Sequence, residues 1–484
     1  MSSNTPATAP NRINKTELNR LGFGVHRDDF TIRDHLGRRQ VVETIGELVA
    51  KDEAPMVIGL HGDWGAGKTS ALRAIRYHLT GQNELNEKIN DSDLPRKQYD
   101  DRVVTIWFEA WRYQNEPTPV VALIQEMRRQ LSLWHKGKAE ASKLSVVAVE
   151  SLLDSLDKAA KLIGLESIPF SPKEVRASGE RYERERLEQA LPTDSIQEFL
   201  EQAIAGLLPG PKAGLSKPRV VVFIDDLDRC NAESAYRLLE GLKIYLQLNN
   251  CVFILGMNQQ IVVEAIAERL KKEDNDRTVL TRAEAYLEKL CSNIWRLPLP
   301  GNPVAYFASL VDEVDSQASI VGATTSCPRF LPPNPRRLRA LANTFNRLRK
   351  SAANLTDAFT TDRHLRLLIV AYVYQFHGEL FQRWHYDSNF LLSLREWLRI
   401  GPVATPSTPG TPTMPEIAGA DAFARLALPT RVLVNTSSPT PGTAIESRYP
   451  DPSAAGVFWI APLLQTTLAG ATPEEFKQLL TLVS

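Results

Sequence analysis

Apolar runs of strand length recur along the first 260 residues and divide the chain. The first is Met56 to Leu60, the second Arg102 to Phe108, the third Arg219 to Ile224 and the fourth Asn250 to Met257. In the second, Val103-Val104-Thr105-Ile106-Trp107-Phe108 is too continuous for a strand with one wet face, which predicts a central strand buried on both sides. A helical pattern follows each run, Ser70 to Leu79 being the first, and residues 27–50 read as a helix leading into the first strand. Residues 115–215 read as mostly helical, with a charged stretch at Lys173 to Glu188. Strands alternating with helices predict a parallel sheet with helices on both faces.

Beyond the fourth strand the pattern changes. Val304 to Leu398 reads as helical, giving a helical domain over 301–400 after an α/β core over 21–300, with a helical insertion at about 115–215. Residues 1–20 read as a flexible tail. Ten of the 31 prolines fall in 402–452 among many Thr, Ser and Gly, so 401–455 reads as a linker or irregular arm. Apolar pattern returns in 456–484 as a strand plus helix or a docking helix.

Composition narrows the class. The 57 basic and 57 acidic residues balance, so net charge gives no support to a nucleic-acid or membrane-surface partner. Four scattered cysteines (Cys230, Cys251, Cys291, Cys327) argue against a disulfide framework or zinc site and for a reducing cytoplasm. The first eleven residues lack the apolar core of a signal peptide. No segment reaches the roughly 18 apolar residues of a membrane helix.

The chemistry begins at Gly62-Asp63-Trp64-Gly65-Ala66-Gly67-Lys68-Thr69-Ser70. It has the form G-x-x-x-x-G-K-[ST] between an apolar strand and a helix, the context a phosphate-binding loop requires. Gly62, Gly65 and Gly67 let successive N–H groups point inward, making an anion site at a helix N-terminus. Lys68 can reach the outer phosphates, and the Thr69 hydroxyl can ligate Mg²⁺.

The third strand ends in Ile224-Asp225-Asp226-Leu227-Asp228-Arg229. An apolar strand ending in carboxylates is the Walker-B arrangement: Asp225 can hold Mg²⁺ through water, and Asp226 can orient or polarise the attacking water. Asp228 reads equally as a helix cap or as chemistry. Asn258, at the end of the fourth strand, contacts the γ-phosphate or the water, or caps the next helix. Glu109, just past the second strand, senses the γ-phosphate or is a solvated charge. An Asn-Lys-x-Asp guanine-reading motif does not follow the loop, which favours ATP.

These blocks, with Trp107-Phe108-Glu109-Ala110-Trp111-Arg112-Tyr113, Tyr286-Leu287-Glu288-Lys289-Leu290 before Leu297-Pro298, and Asn334-Pro335-Arg336-Arg337-Leu338, resemble the KAP family of P-loop NTPases over about 25–350. The resemblance implies an ASCE-type α/β ATPase using ATP and Mg²⁺, its parallel sheet sandwiched by helices, with a helical insertion and a C-terminal helical lid. It implies Arg336 or Arg337 near the γ-phosphate; on sequence alone the same arginines read as a solvated helix start. Glu109 stands where the family usually has Asn, and Asn258 where it usually has Asp, which implies slow or partner-stimulated hydrolysis. Members commonly carry membrane helices between the two phosphate-site strands. Here the most apolar part of the insertion, Leu144 to Phe170, holds Asp154, Asp157, Lys158 and Lys161, which suits an amphipathic insert packed on protein better than a surface membrane helix.

Bacterial relatives act in defence against phage and mobile elements, a setting the resemblance alone suggests. The leading reading is therefore an ATP-driven conformational switch read by a partner protein, with Arg229 supplied in trans if the chain is a homo-oligomer. A P-loop small-molecule kinase and a nucleic-acid-associated ATPase are the alternatives.

Overall fold

In the computed structural model the described residues are 30–87, 102–137, 151–157, 192–208, 218–245, 248–271, 278–291, 293–300, 302–311, 334–352 and 361–376, with a few isolated positions. The expected tail (1–20), the Pro-rich arm (401–455), nearly all of 456–484 and most of the insertion lie outside them. By its internal contacts the chain divides into two units, the first Phe30–Pro298 and the second containing everything from Leu299 onward.

The first unit runs α1 (Arg39–Lys51), β1 (Met56–His61), α2 (Lys68–Thr80), β2 (Val103–Glu109), α3 (Pro119–Gly137), α4 (Pro192–Leu207), β3 (Arg219–Asp225), α5 (Ala232–Tyr245), β4 (Cys251–Met257), α6 (Gln259–Lys271), α7 (Val279–Leu290) and β5 (Asn293–Arg296). The strands form one parallel sheet in the order β2-β3-β4-β1-β5. β4 thus lies between the loop-bearing β1 and the carboxylate-bearing β3, the extra strand of the ASCE arrangement.

Both faces of the sheet are covered, which explains the unbroken apolar runs. Ile106, Phe108, Val222 and Phe253 face one cluster with α3, α5, α6 and α7. Ile58, Leu60, Phe223 and Ile254 face the other with α1 and α2. Because β2 ends the sheet of the described residues, the run read as central is an edge strand; helices cover its two faces, and among the described residues β3 is the one strand that pairs with it.

Two further expectations shift. The helix over 27–50 begins only at Arg39. Before it, the Asp34 carboxylate accepts the N–H groups of Leu36, Arg38 and Arg39, folding 34–38 into a turn that feeds the helix. A fifth strand, Asn293–Arg296, escaped the apolar pattern because it has four residues, all at least partly exposed. In the insertion, Leu153 and Leu156 are buried in the first cluster, and Asp154 and Asp157 both reach Arg128 of α3. This part of the insertion packs on protein. No helix of the described residues is long and apolar enough to cross a membrane.

The second unit contributes α8 (Pro303–Ser309), α9 (Pro335–Ala352) and α10 (Thr361–Phe376). Phe307, Leu341, Phe345 and Tyr372 are buried there.

Candidate functional site

β1 delivers the glycine-rich loop at the C-terminal edge of the sheet. The Gly62 N–H donates to the Met257 carbonyl of β4 (3.1 Å), and the Leu297 N–H donates to His61 O (2.8 Å). The loop therefore leaves the sheet between β4 and β5. Gly65 and Gly67 have φ of 79° and 91°. A Cβ at Gly67 would sit 2.9 Å from Arg38 Nη1, so this position tolerates a side chain on neither count. Ala66 is buried, its N–H bonded to Asp63 O, whereas the Trp64 ring stands 67% exposed.

Lys68 opens α2 and is buried. Its Nζ donates to Gly62 O (2.9 Å) and pairs with Asp228 Oδ2 at 3.0 Å, both side chains less than a tenth exposed. Asp228, left open between cap and chemistry by the sequence, thus holds the phosphate-loop lysine. Thr69 bonds through its side chain to Asp225. A hydroxyl beside a carboxylate is a hard-oxygen pair of the kind Mg²⁺ takes, so Thr69 and Asp225 fit the ion. Ser70 turns elsewhere: its Oγ accepts the Thr31 N–H (3.2 Å).

Asp225 is 2% exposed. Burial, then the charge of Asp226, push its carboxyl up from 3.8 to about 6, against the pull of Thr69 and Lys68. The space for it exists because β4 has Gly256 alongside; a Cβ there would meet Asp225 Oδ1 at 2.9 Å and Leu72 Cδ1 at 2.7 Å. Asp226 follows with φ 59°, ψ 32°, a left-handed conformation aspartate tolerates better than most residues. Its N–H donates to Asp225 Oδ1 (3.0 Å), and its Oδ1 pairs with Arg229 Nε (2.9 Å). Burial raises its pKa, and Arg229 opposes the rise.

The register places Glu109 of β2 directly opposite Asp225 of β3. Glu109 pairs with Arg112 on the following turn. Asn258 caps the start of α6, its Oδ1 accepting the Gln260 N–H (3.0 Å), and its Nδ2 donates to Asp63 Oδ1 of the loop (3.2 Å). The loop residues, Asp225, Asp226, Asp228, Arg229, Glu109 and Asn258 thus belong to one unit and one end of one sheet. Arg336 and Arg337 belong to the second unit, where their N–H groups are capped by Asn334 Oδ1.

Sequence reasoning missed Arg38. Its buried guanidinium donates to Ala66 O (2.6 Å) and, through Nε and Nη2, to Pro298 O (3.3 and 3.1 Å). It braces the loop from outside. An arginine 24 residues before the motif, the first of the pair Arg38-Arg39, carries no spacing signal that could have found it.

The sequence profile described as the KAP family P-loop domain matches residues 38–352, from Arg38 to the last residue of α9. Comparison with curated proteins gives no match.

Proposed function

The chain belongs to the KAP family of P-loop NTPases, and from that premise we propose that it is an ATP-driven conformational switch whose nucleotide state is read by a partner protein. The observation that carries the reading is the buried Lys68–Asp228 pair beside the Thr69–Asp225 pair. It puts the phosphate-loop lysine and the Walker-B carboxylates in one pocket of charge, where the outer phosphates of ATP would lie.

In this reading the phosphates enter the N–H cradle of residues 62–69 and replace Asp228 as the partner of Lys68. Thr69 and Asp225 would hold Mg²⁺, which would supply positive charge to a transferring phosphoryl group. Asp226 orients the attacking water once its bond to Arg229 opens. Asn258, fixed on Asp63, reports movement of the loop to α6, and Glu109 lies in register with Asp225 to sense the same change. The family resemblance alone supports a γ-phosphate role for Arg336 or Arg337, and a setting in defence against phage or mobile elements.

The test is phosphate release from ATP and GTP with Mg²⁺, for the chain and for Asp226→Asn. The variant should bind ATP normally and release phosphate slower by about 10²-fold or more, the scale of general-base loss. Normal release by the variant would move the base role elsewhere. ATP consumed without free phosphate would favour the kinase reading. Proteins retained by ATP-loaded Asp226→Asn and lost without ATP would be the partners.

A further inference from the structure

A second polar cavity lies in the same unit, along the open edge of β2. It encloses about 520 Å³ between α2, β2 and α3, and four guanidiniums line it against three carboxylates. We propose that it is a separate anion site, which takes the carboxylate or phosphoryl group of a small molecule.

The floor of the cavity is built around two arginines of α2. Arg73 and Arg76 are each less than a tenth exposed, and both donate to a single oxygen, Glu84 Oε1. Arg76 Nε also donates to Thr105 Oγ1 (3.0 Å), which fixes its plane against β2. Two buried cations therefore share one carboxylate. Burial lowers the pKa of both, that of Arg76 to about 10; Glu84, joined for Arg73 by the charges of Asp225 and Glu109, only partly offsets it. A second oxyanion would complete the neutralisation, with the forked geometry guanidinium offers carboxylate and phosphate.

Two donors independently ask for an acceptor. Arg73 Nε and Trp107 Nε1 are buried and have no hydrogen-bond partner among the described residues. They belong to one stacked pair, the Arg73 guanidinium lying 3.4 Å from the Trp107 ring centroid. A buried N–H without an acceptor is unfavourable, and both residues line the cavity. At the rim Arg112 and Arg129 are more than half exposed, each paired with a lining carboxylate, Glu109 and Glu126.

The occupant is a small molecule and not an added peptide strand. The outward N–H and C=O of Trp107, where such a strand would pair, are both taken by the Gln130 side chain, Oε1 accepting at 3.0 Å and Nε2 donating at 2.7 Å. The site is also distinct from the phosphate loop. Its lining includes Glu109 but neither Lys68 nor Thr69.

Calorimetric titration of the full chain with succinate and with glycerol 2-phosphate tests the proposal. At least one probe should bind saturably, one per chain. Arg76→Gln and Trp107→Phe should each weaken that binding tenfold or more, the latter keeping the ring and removing only the N–H. Lys68→Ala should leave it unchanged. Succinate alone would assign a carboxylate ligand, glycerol 2-phosphate alone a phosphoryl ligand, and either supports the site. Absence of saturable binding by both probes up to about 10 mM would overturn it. Binding lost in Lys68→Ala and kept in Arg76→Gln would overturn it too, by assigning the anion to the phosphate loop. Should Arg76→Gln not fold, Trp107→Phe decides the same question. Since ATP binding is read separately, failure here leaves the ATPase reading intact, and the converse holds.

Discussion

Asp228 pairs with Lys68, so in the proposed reading an incoming phosphate would compete with it for that lysine. Replacing it by Asn removes the charge and keeps the shape. The apo chain should lose about 1–3 kcal/mol, because a buried ammonium then lacks its counter-ion. ATP affinity should rise about tenfold. Calorimetry showing weaker binding would mean that Asp228 supports the nucleotide instead of excluding it. Gly256→Ala tests the neighbouring carboxylate: a methyl 2.9 Å from Asp225 Oδ1 and 2.7 Å from Leu72 should cost about 1–3 kcal/mol and most of the Mg²⁺-dependent turnover. A melting curve and activity indistinguishable from the parent would contradict that packing. At this scale the sequence was partly legible. Lys68 and Thr69 could be read from the contiguous spacing of the loop, and Asp225 from its place at the end of an apolar strand. Arg38 and the partner of Asp228 could not, because each depends on which distant segment the fold brings alongside.

Between elements, α3 and α4 are tied by His135, whose Nε2 lies 2.9 Å from Leu207 O. Burial lowers its pKa below 6.5, and the Leu207 bond only partly restores it. The unfolded chain therefore takes up a proton at higher pH than the folded one. Stability from this group is present above pH 6.5 and is lost as pH falls below it. Denaturant unfolding at pH 7.5 and 5.5 should show a steeper fall for the parent than for His135→Gln, which can still donate to Leu207 O without titrating. Equal falls would rule His135 out. The parallel α/β rhythm was legible because its apolar runs span whole strands. β5 was not, since four partly exposed residues leave no period to count, and β2 was placed wrongly within the sheet because helices cover an edge strand as fully as a central one.

For the molecule as a whole, Arg229 is open to a neighbour's influence: its side chain is 43% exposed and pairs with Asp226 on its own chain. If it acts in trans, freeing Asp226 as it leaves, turnover depends on assembly. Specific activity should then fall across about a hundredfold dilution as subunits separate, and Arg229→Ala should mix with the parent to give less than the averaged rate. Constant activity from a chain monomeric by light scattering would confine catalysis to one subunit.

The Gln130 side chain also bears on how the folded chain lives among copies of itself. An open parallel sheet has two margins at which another molecule could continue the ladder. One margin here is β5, too short to template much. The other is β2, where an amide imitates a neighbouring strand at Trp107, towards the C-terminal end of the strand. At that residue the ladder groups of the edge are already satisfied and open to no further strand.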